Sequence, residues 1–591
     1  MHRTLSAVLA VSVVSTVSVA QEPTFPTPSV GASATQLTQM FSDYWEWRLA
    51  ASPELATEMG RHEYGDRWTD WSRAAREKAR AHRKDLLQQL LYVNSAGNLT
   101  DSMRLSANLL EWELRAALDM EAYQDLVNRI SQQFGLHVEV FSVIAAMPSR
   151  SVKDYENIIA RLRALPRYVD QNIELLRDQM TVGVTQPGVV VDLVADQVAA
   201  QSRPSAMESP LLAAFTRFPN DVSPADQNRL RTQAVAAYEQ QFLPNWKRLE
   251  TFLRETYRPR ARSGIAVTIV PNGRRLYEQA VRFHTTTSLT PEEIHELGLK
   301  EVVRIDREME QIARADGFTG PATAYEQQLA ESPVMRFASQ QEMLDYAGDV
   351  LKRLQPALPK LFNRLPKMPV SIRPIPADRE ASTASNYEVG TTDGTRPAWF
   401  NMNTYRPREQ KRYPIEAIVI HETVPGHHLQ VAIARESEGL PEFRKAFNTT
   451  AFGEGWALYA ESLGSELGTV YRDQSSRFGQ LASEKFRAVR LVVDTGMHAM
   501  GWSRDRAREY FRLHVPGQSI AEIDRYVAWP GQALAYKVGQ LRIRELRTRA
   551  EKELGSRFDV REFHDVVLRN GALPLDMLEE QVVRYVRAAK N

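Results

Sequence analysis

The sequence contains no cysteine and carries almost no net charge. The missing cysteines exclude disulfides, thiolate nucleophiles, iron–sulfur clusters and cysteine-ligated zinc. Its 74 Lys and Arg residues against 73 Asp and Glu residues leave a formal net charge of +1. That balance argues against nucleic acid as a partner, because binding to phosphates needs a basic excess. Any metal that this protein binds must therefore be held by His, Asp and Glu.

An apolar run long enough to span a membrane is also missing after the first residues. Residues 5–20 form a short apolar run after a charged start, and Ser18-Val19-Ala20 gives a small-x-small cleavage pattern. This predicts a secretory signal peptide over residues 1–20 and a flexible tail over residues 21–35. The alternatives are an uncleaved anchor or a buried helix. The expected protein is exported, periplasmic or secreted, with no stable membrane insertion after signal removal.

Helical periodicity dominates the chain that follows. Aromatic and leucine side chains recur at three- and four-residue steps, as a buried helix face requires. Residues 368–404 instead contain four prolines and short β-type runs, which predict a small sheet or hairpin. The sequence therefore predicts a mainly α protein with an N-terminal helical lobe over residues 36–285 and a C-terminal catalytic lobe over residues 286–591. One continuous domain is the alternative.

The most informative stretch, residues 415–430, reads I-E-A-I-V-I-H-E-T-V-P-G-H-H-L-Q. An apolar run delivers His421 and Glu422 on a helix, and two more histidines, His427 and His428, follow closely. A His-Glu pair with a nearby downstream His is the arrangement of zinc hydrolases. In these enzymes imidazoles hold Zn²⁺ and the Glu is the general base for the attacking water. The pattern predicts one zinc ion, with His421 as a ligand and Glu422 as the catalytic base.

The second histidine ligand has two candidates. The standard motif places it four residues after the first, a position that Pro425 occupies here. On an uninterrupted helix His428 would lie about 20° from His421 and His427 about 120° away, which favours His428. The proline ring, however, clashes with the carbonyl of residue 421, so Pro425-Gly426 is expected to form a bulge. Realigned across that bulge, His427 is the favoured ligand, and the other histidine is expected behind it or facing substrate.

The third ligand is expected in residues 452–463, F-G-E-G-W-A-L-Y-A-E-S-L. Glu454 begins this amphipathic pattern 27 residues after His427, so a helix packing back on the first would aim its carboxylate at the metal. Flanking glycines permit a close approach to another backbone or to a ligand. Glu461 lies seven residues on and shares its face, so it is the alternative ligand or a partner behind the ligands.

A further helix carries Arg490, Asp494 and His498 at successive four-residue steps, which places them on one face. One interpretation is an intrahelical ladder of ion pairs. The other is a polar wall of the site, in which Asp494 orients an imidazole and His498 donates to an oxyanion.

Residues 529–539, W-P-G-Q-A-L-A-Y-K-V-G, follow Tyr526 and place Tyr536 and Lys537 after a Pro-Gly turn. A phenol or an ammonium group there could stabilise a tetrahedral intermediate. Ordinary packing of these amphipathic side chains is the alternative.

These segments carry a family resemblance. H-E-T-V-P-G-H-H-L-Q, G-E-G-W-A-L-Y-A-E and P-G-Q-A-L-A-Y-K-V-G resemble the signatures of the bacterial domain-of-unknown-function 885 (DUF885) family, as do residues 285–293 and the turn at 393–397. That family is similar, more remotely, to helical gluzincin peptidases such as thimet oligopeptidase, carboxypeptidase Taq and angiotensin-converting enzyme. The Pro-Gly insertion is where this sequence departs from their pattern.

The resemblance implies a two-lobed helical clamshell with a central channel and a small sheet beside the zinc helix. It implies zinc ligation by two His and one Glu, matched here by His421, His427 and Glu454. It also implies that the hairpin ending near Asn403 pairs with an extended peptide by strand addition. The leading hypothesis is an exported zinc-dependent peptidase acting on oligopeptides. The alternatives are a zinc hydrolase of another amide or ester and a metal- or peptide-binding protein without turnover.

Overall fold

The structure is a computed structural model, and it describes residues 30–95, 99–126, 130–376, 380, 384–391 and 396–591. The predicted signal peptide and residues 21–29 of the predicted tail lie outside the described residues, and so does most of the turn at 393–397. Residues 30–35, also assigned to the tail, instead begin the first helix. Among the described residues, no helix combines the length and the apolarity that crossing a bilayer requires.

Helices dominate the described chain, as predicted. Those that precede the sheet are α1 (Val30–Ala51), α2 (Pro53–Glu58), α3 (Arg73–Asn94), α4 (Asp101–Leu126), α5 (Leu136–Ala146), α6 (Val152–Val182), α7 (Gly188–Gln201), α8 (Pro224–Ala237), α9 (Leu243–Thr251), α10 (Gly273–Thr285), α11 (Pro291–Ala315), α12 (Ala322–Glu331) and α13 (Gln340–Leu354). Those that follow it are α14 (Ile415–Glu422), α15 (His427–Arg435), α16 (Glu442–Ala446), α17 (Thr450–Leu467), α18 (Gln474–His498), α19 (Arg504–His514), α20 (Ala521–Ala528), α21 (Ala535–Leu554), α22 (Val560–Leu568) and α23 (Leu575–Lys590).

Helix α11 shows how local sequence fixes these boundaries. The Thr290 side chain accepts from the Glu293 N–H at 3.2 Å, and the Glu293 carboxylate accepts from the Thr290 N–H at 2.8 Å. This capping box satisfies two otherwise unpaired helix-start groups, and Pro291 needs no acceptor at the first helical position.

Two apolar cores hold the helices together. In the first, α1, α3 and α4 pack with α14, α17 and the C-terminal helices α21–α23. In the second, α5–α9 pack with α18 and α20. Helices α11 and α18 contribute to both cores. Ile294 of α11 and Leu491 of α18 lie in the first core. Val302 of α11 and Val492 of α18 lie in the second core. Each core therefore draws on both sides of residue 285, and the division into lobes at that position stays a prediction.

The region of four prolines forms a three-stranded sheet with the order β1-β3-β2. Its strands are β1 (Val370–Pro374), β2 (Asn386–Glu388) and β3 (Ala398–Met402). β1 pairs with β3 in parallel and β2 pairs with β3 in antiparallel, so β3 is central and both of its edges are occupied. Among the described residues, the strand that ends just before Asn403 is paired on both sides and β1 and the three-residue β2 form the edges of the sheet, so the addition of a peptide strand stays a prediction.

Helices α17 and α21 contact each other at two glycines. A β-carbon at Gly455 would lie 2.5 Å from the Gly539 Cα atom, and one at Gly539 would lie 1.9 Å from the Ala451 carbonyl oxygen. The two backbones touch here without side chains between them. Because Glu454 precedes Gly455, this contact also fixes the position of that carboxylate.

We expect Gly539→Ala to lower the free energy of unfolding by about 1–3 kcal/mol or more, because backbone atoms cannot move aside as a side chain can. Gly348→Ala in α13 is the matched control, since a β-carbon there would have no neighbour within 4 Å apart from the adjacent residues and the backbone of its own helix. It should raise stability by up to about 1 kcal/mol through helix propensity. Urea unfolding measures both, and equal effects of the two substitutions would contradict this packing.

Candidate metal centre

The helix that carries His421 and Glu422 is interrupted, as predicted, at the Pro-Gly insertion. Helix α14 ends at Glu422, Thr423 leaves the helical region at φ −113° and ψ −119°, and α15 begins at His427. The Gly426 N–H donates back to the Ile420 carbonyl at 3.0 Å. A β-carbon at Gly426 would lie 2.1 Å from the His421 carbonyl oxygen, so only glycine fits against the end of α14.

The break brings His427 beside His421. Their ring centroids lie 4.7 Å apart with the ring planes at 87°. Glu454, in the first turns of α17, completes the group: its Oε2 atom is 3.3 Å from His421 Nε2 and 3.4 Å from His427 Nε2. One donor atom from each of the three residues lies within 4.8 Å of the others. The structure thus brings together the three residues that the sequence predicted as metal ligands.

This donor set fits a zinc ion. Zinc bonds to nitrogen and oxygen ligands are about 2.0–2.2 Å long, so neighbouring donors around a tetrahedral ion stand about 3.3–3.6 Å apart. The two contacts of Glu454 Oε2, at 3.3 and 3.4 Å, have that separation. Three protein ligands also leave one position for water or substrate, as catalytic zinc sites require.

Glu461 lies behind the ligands. Its Oε1 atom accepts from His421 Nδ1 at 2.8 Å, and its side chain is fully buried. This bond leaves the Nε2 atom of His421 facing Glu454 and His427. Arg487 stands on the other side of Glu461, with its Nη2 atom 3.9 Å from Oε1. A carboxylate in this position orients a ligating imidazole and raises its basicity.

The charges of the cluster reinforce one another. Burial opposes the imidazolium form, but the hydrogen bonds to Glu454 and Glu461 raise the pKa of His421 to about 9. Burial also opposes ionisation of Glu454, yet the His427 and His421 rings hold its pKa well below the usual range. Imidazoles beside an ionised carboxylate can bind a metal cation, and any proton they carry is released when it binds.

Glu422 is a buried carboxyl group next to this cluster. It is 8% exposed, and its carboxylate forms no hydrogen bond with any described residue. Burial raises its pKa, while the charges of His421, His427 and Arg487 oppose that rise. A carboxyl group whose pKa is moved toward neutrality can accept a proton during catalysis.

His428, the alternative ligand, lies in the core instead. Its Nε2 atom donates to the Met368 carbonyl at 2.9 Å, and its Nδ1 atom accepts from the Tyr387 hydroxyl at 3.1 Å. Burial lowers its pKa to about 4, so the ring is neutral and both nitrogens are occupied. His428 therefore links α15 to the sheet.

The three residues of the predicted polar wall on α18 contact different parts of the protein. His498 accepts from the Val267 N–H at 3.1 Å and bonds to the Tyr526 carbonyl at 3.0 Å, so neither ring nitrogen can reach an oxyanion. It also lies eleven residues beyond Arg487, which is about 16 Å along the helix. Asp494 accepts from the Tyr277 hydroxyl at 2.7 Å and from the Gly531 N–H at 3.1 Å, and it orients no ligating imidazole. The expectation that His498 and Asp494 form a polar wall of the site is corrected, because both are buried side chains with hydrogen-bond partners in the core.

Arg490 belongs to a different cluster, together with Tyr526 and Tyr536. Its Nε atom donates to the Tyr526 hydroxyl at 2.9 Å, and its guanidinium carbon lies 4.5 Å from the centre of the Tyr536 ring. Arg525 donates to the Tyr536 hydroxyl at 3.3 Å. Tyr526 donates to Glu522 at 2.8 Å, so its hydroxyl is already used. Tyr536 keeps its own hydroxyl hydrogen free of acceptors among the described residues.

Lys537 points into a separate buried network. Its Nζ atom lies 2.6 Å from Glu484 Oε1 and 2.9 Å from Glu301 Oε2, and Arg304 joins the same carboxylates. An ammonium group held by two carboxylates has no role at an oxyanion, so the sequence interpretation of Lys537 is also corrected.

Sequence reasoning missed three charged residues that the fold brings near these groups. Arg487 lies one turn before Arg490, Arg525 precedes Tyr526, and Glu522 lies one turn before Tyr526. The four-residue spacing of Glu522 and Tyr526 was available as a signal. For Arg487 and Arg525 no local signal distinguishes them from surface arginines of amphipathic helices.

A family model described as "Bacterial protein of unknown function (DUF885)" matches residues 53–582. No curated protein matches the chain.

The solved structures of two bacterial proteins share the fold. The "putative lipoprotein" from Colwellia psychrerythraea is 26% identical, with a TM-score of 0.89 over 94% of this chain and 99% of its own. A "putative lipoprotein of unknown function" from Shewanella oneidensis is 18% identical, with a TM-score of 0.70 over 94% and 100%. A "putative oligoendopeptidase F" from Bacillus anthracis reaches a TM-score of 0.32 at 11% identity, over 86% and 97%.

Proposed function

Because the chain belongs to the DUF885 family of bacterial proteins of unknown function, we propose its activity from its own site: it is a zinc-dependent peptidase that hydrolyses oligopeptides. The observation that carries the proposal is the grouping of His421, His427 and Glu454, with donor atoms within 4.8 Å of one another, beside the buried carboxyl group of Glu422. Two imidazoles, one carboxylate ligand and an adjacent free carboxylate are the parts of a metal-assisted hydrolase.

His421, His427 and Glu454 would hold the ion, and Glu461 fixes the ring of His421. When bound, zinc would supply Lewis acidity to the scissile carbonyl and lower the pKa of the attacking water. Glu422 accepts the proton of that water and returns it to the leaving amine. Its burial keeps bulk water from competing for the proton.

Tyr536 is the residue we assign to the oxyanion. His498 has no free nitrogen and Lys537 is held by carboxylates, whereas the Tyr536 hydroxyl accepts from Arg525 at 3.3 Å and can still donate. A hydrogen bond from a donor fixed before the reaction stabilises the developing negative charge.

Export is the second part of the proposal. The solved relatives carry lipoprotein names, and the first 20 residues read as a secretory signal. The chain itself has no cysteine to carry a lipid. We therefore propose a periplasmic or secreted enzyme that acts on peptides outside the cytoplasm.

Hydrolysis of a mixed peptide library by purified protein tests the activity. We expect cleavage to stop after treatment with a chelator and to return when zinc is added back in stoichiometric amount, because metal binding to deprotonated His and Glu ligands is reversible. A parallel panel of acyl amides and esters separates peptidase from other hydrolase activity. Peptide cleavage that survives complete chelation would contradict the zinc proposal.

A further inference from the structure

Two buried arginines share one carboxylate near the candidate metal centre. Arg490 Nη2 lies 3.2 Å and Arg525 Nη1 lies 3.3 Å from the same oxygen, Oε2 of Glu522. Their side chains are 5% and 12% exposed. Two guanidinium groups are always charged, and one carboxylate neutralises only one of them. The cluster therefore carries an excess positive charge out of bulk water.

Some donors of this pair also lack acceptors. Arg490 Nη1 and Arg525 Nε are buried and have no hydrogen-bond partner in the described part of the chain. The next carboxylate along α18, Asp494, is taken by Tyr277 and Gly531. Unpaired buried donors and an unbalanced buried charge are costly, so a site that keeps them is suited to an anionic ligand that supplies the missing acceptors.

The arginine pair adjoins the residue that we assign to the oxyanion. Arg490 lies against the Tyr536 ring, and Arg525 Nη2 donates to its hydroxyl. Tyr536 itself is one helical turn before Gly539, whose backbone touches Gly455 beside Glu454. On α18, Arg490 follows Arg487, which faces Glu461, by about 4.5 Å along the helix axis.

We propose that Arg490 and Arg525 bind the α-carboxylate of a peptide substrate, so that the enzyme releases C-terminal residues. The inference rests on the proposed peptidase function and on Tyr536 as the oxyanion donor. Successive Cα atoms of a peptide are about 3.8 Å apart, so a carboxylate recognised beside Tyr536 belongs to the residue that follows the scissile carbonyl. Guanidinium groups bind carboxylates with strong, directional hydrogen bonds.

The first test compares a blocked tripeptide, acetyl-Ala-Ala-Phe, with its C-terminal amide on the zinc-loaded protein. We expect cleavage before Phe and a kcat/KM that is about 10- to 100-fold higher for the free acid, the range for loss of charged hydrogen bonds. Arg525→Gln should bring the acid-to-amide ratio close to one, whereas Arg525→Lys should keep part of it. Arg504→Gln is the control, because Arg504 is paired with Asp524 at 2.6 and 2.7 Å and should leave the ratio unchanged.

The acid-to-amide ratio is informative because a merely structural role of Arg525 would lower the rates for the acid and for the amide together. Arg490→Gln is the second variant, and it is scored only if its thermal unfolding remains cooperative. Equal rates for acid and amide in the wild type, or cleavage inside a longer peptide with no preference for its end, would overturn the proposal and leave the peptidase function intact.

A second test does not require turnover. Calorimetric titration with acetyl-Ala-Phe and its amide should give a dissociation constant about 10-fold or more lower for the acid, and Arg525→Gln should abolish the difference. If acid is preferred but no peptide is ever cleaved, the carboxylate subsite stands and the peptidase proposal fails. If acid and amide bind equally, the subsite is excluded whatever the activity.

Discussion

Glu422→Gln is expected to lower kcat/KM for peptide hydrolysis by about a thousandfold while zinc content stays that of the wild type. The amide has the shape of the carboxylate but cannot accept a proton, and general bases contribute about 10²–10⁴-fold to such reactions. Glu422 forms no hydrogen bond with any described residue, so its replacement leaves the local packing in place. Steady-state kinetics and metal analysis of the same preparation measure the two effects.

Glu416→Gln provides the matched control, since Glu416 lies on the same helix but has a structural role. Its carboxylate accepts from Arg353 at 2.7 Å and from the Tyr471 N–H at 2.6 Å, and it is 4% exposed. We expect a loss of about 1–3 kcal/mol in stability and nearly normal activity per folded molecule. A Glu422→Gln protein with full activity, or one that has lost its zinc, would contradict the assigned base.

Replacing the two adjacent histidines should have opposite consequences. His427→Ala removes one of three ligands, and we expect zinc affinity to fall by more than about a hundredfold, because partners behind the ligands alone account for about 10–100-fold. Activity should fall with the zinc content. His428→Ala should retain zinc but lower the free energy of unfolding by about 1–3 kcal/mol, since the Met368 carbonyl and the Tyr387 hydroxyl lose their partner.

Competition with a chromogenic zinc indicator measures the affinity of both variants, and urea unfolding measures their stability. The comparison is strict because the residues are neighbours and the substitution is the same. Loss of zinc in His428→Ala with retention in His427→Ala would show that His428, and not His427, is the second histidine ligand.

The sequence predicted the interruption of the helix that carries His421 because the cause of the interruption is local. A proline cannot donate a backbone hydrogen bond and excludes the carbonyl four residues earlier, so the helix had to break, and residues 423–426 lie outside α14 and α15. The same locality explains the prediction that Glu454 lies near the start of its helix. Each depends on residues a few positions apart.

The remaining contacts depend on distant parts of the chain. Whether His498 faces an oxyanion or the Val267 N–H is decided by a segment more than 200 residues away. Lys537 likewise meets Glu301 across the fold. The sheet was expected as a small sheet or a hairpin, but β1 and β3 pair in parallel, and the intervening chain places β2 on the far side of β3. Periodicity cannot report such pairings, because it describes only one face of one element.

The break between α14 and α15 has a mechanical consequence. On an unbroken helix both histidines would belong to one rigid rod, and an ion held between them would constrain little. Here the ligands come from α14, α15 and α17, so the ion would cross-link three independent elements and close the intervening loops. Metal binding would then be coupled to the order of the polypeptide around residues 423–426, and the apoprotein would open more easily between α14 and α15.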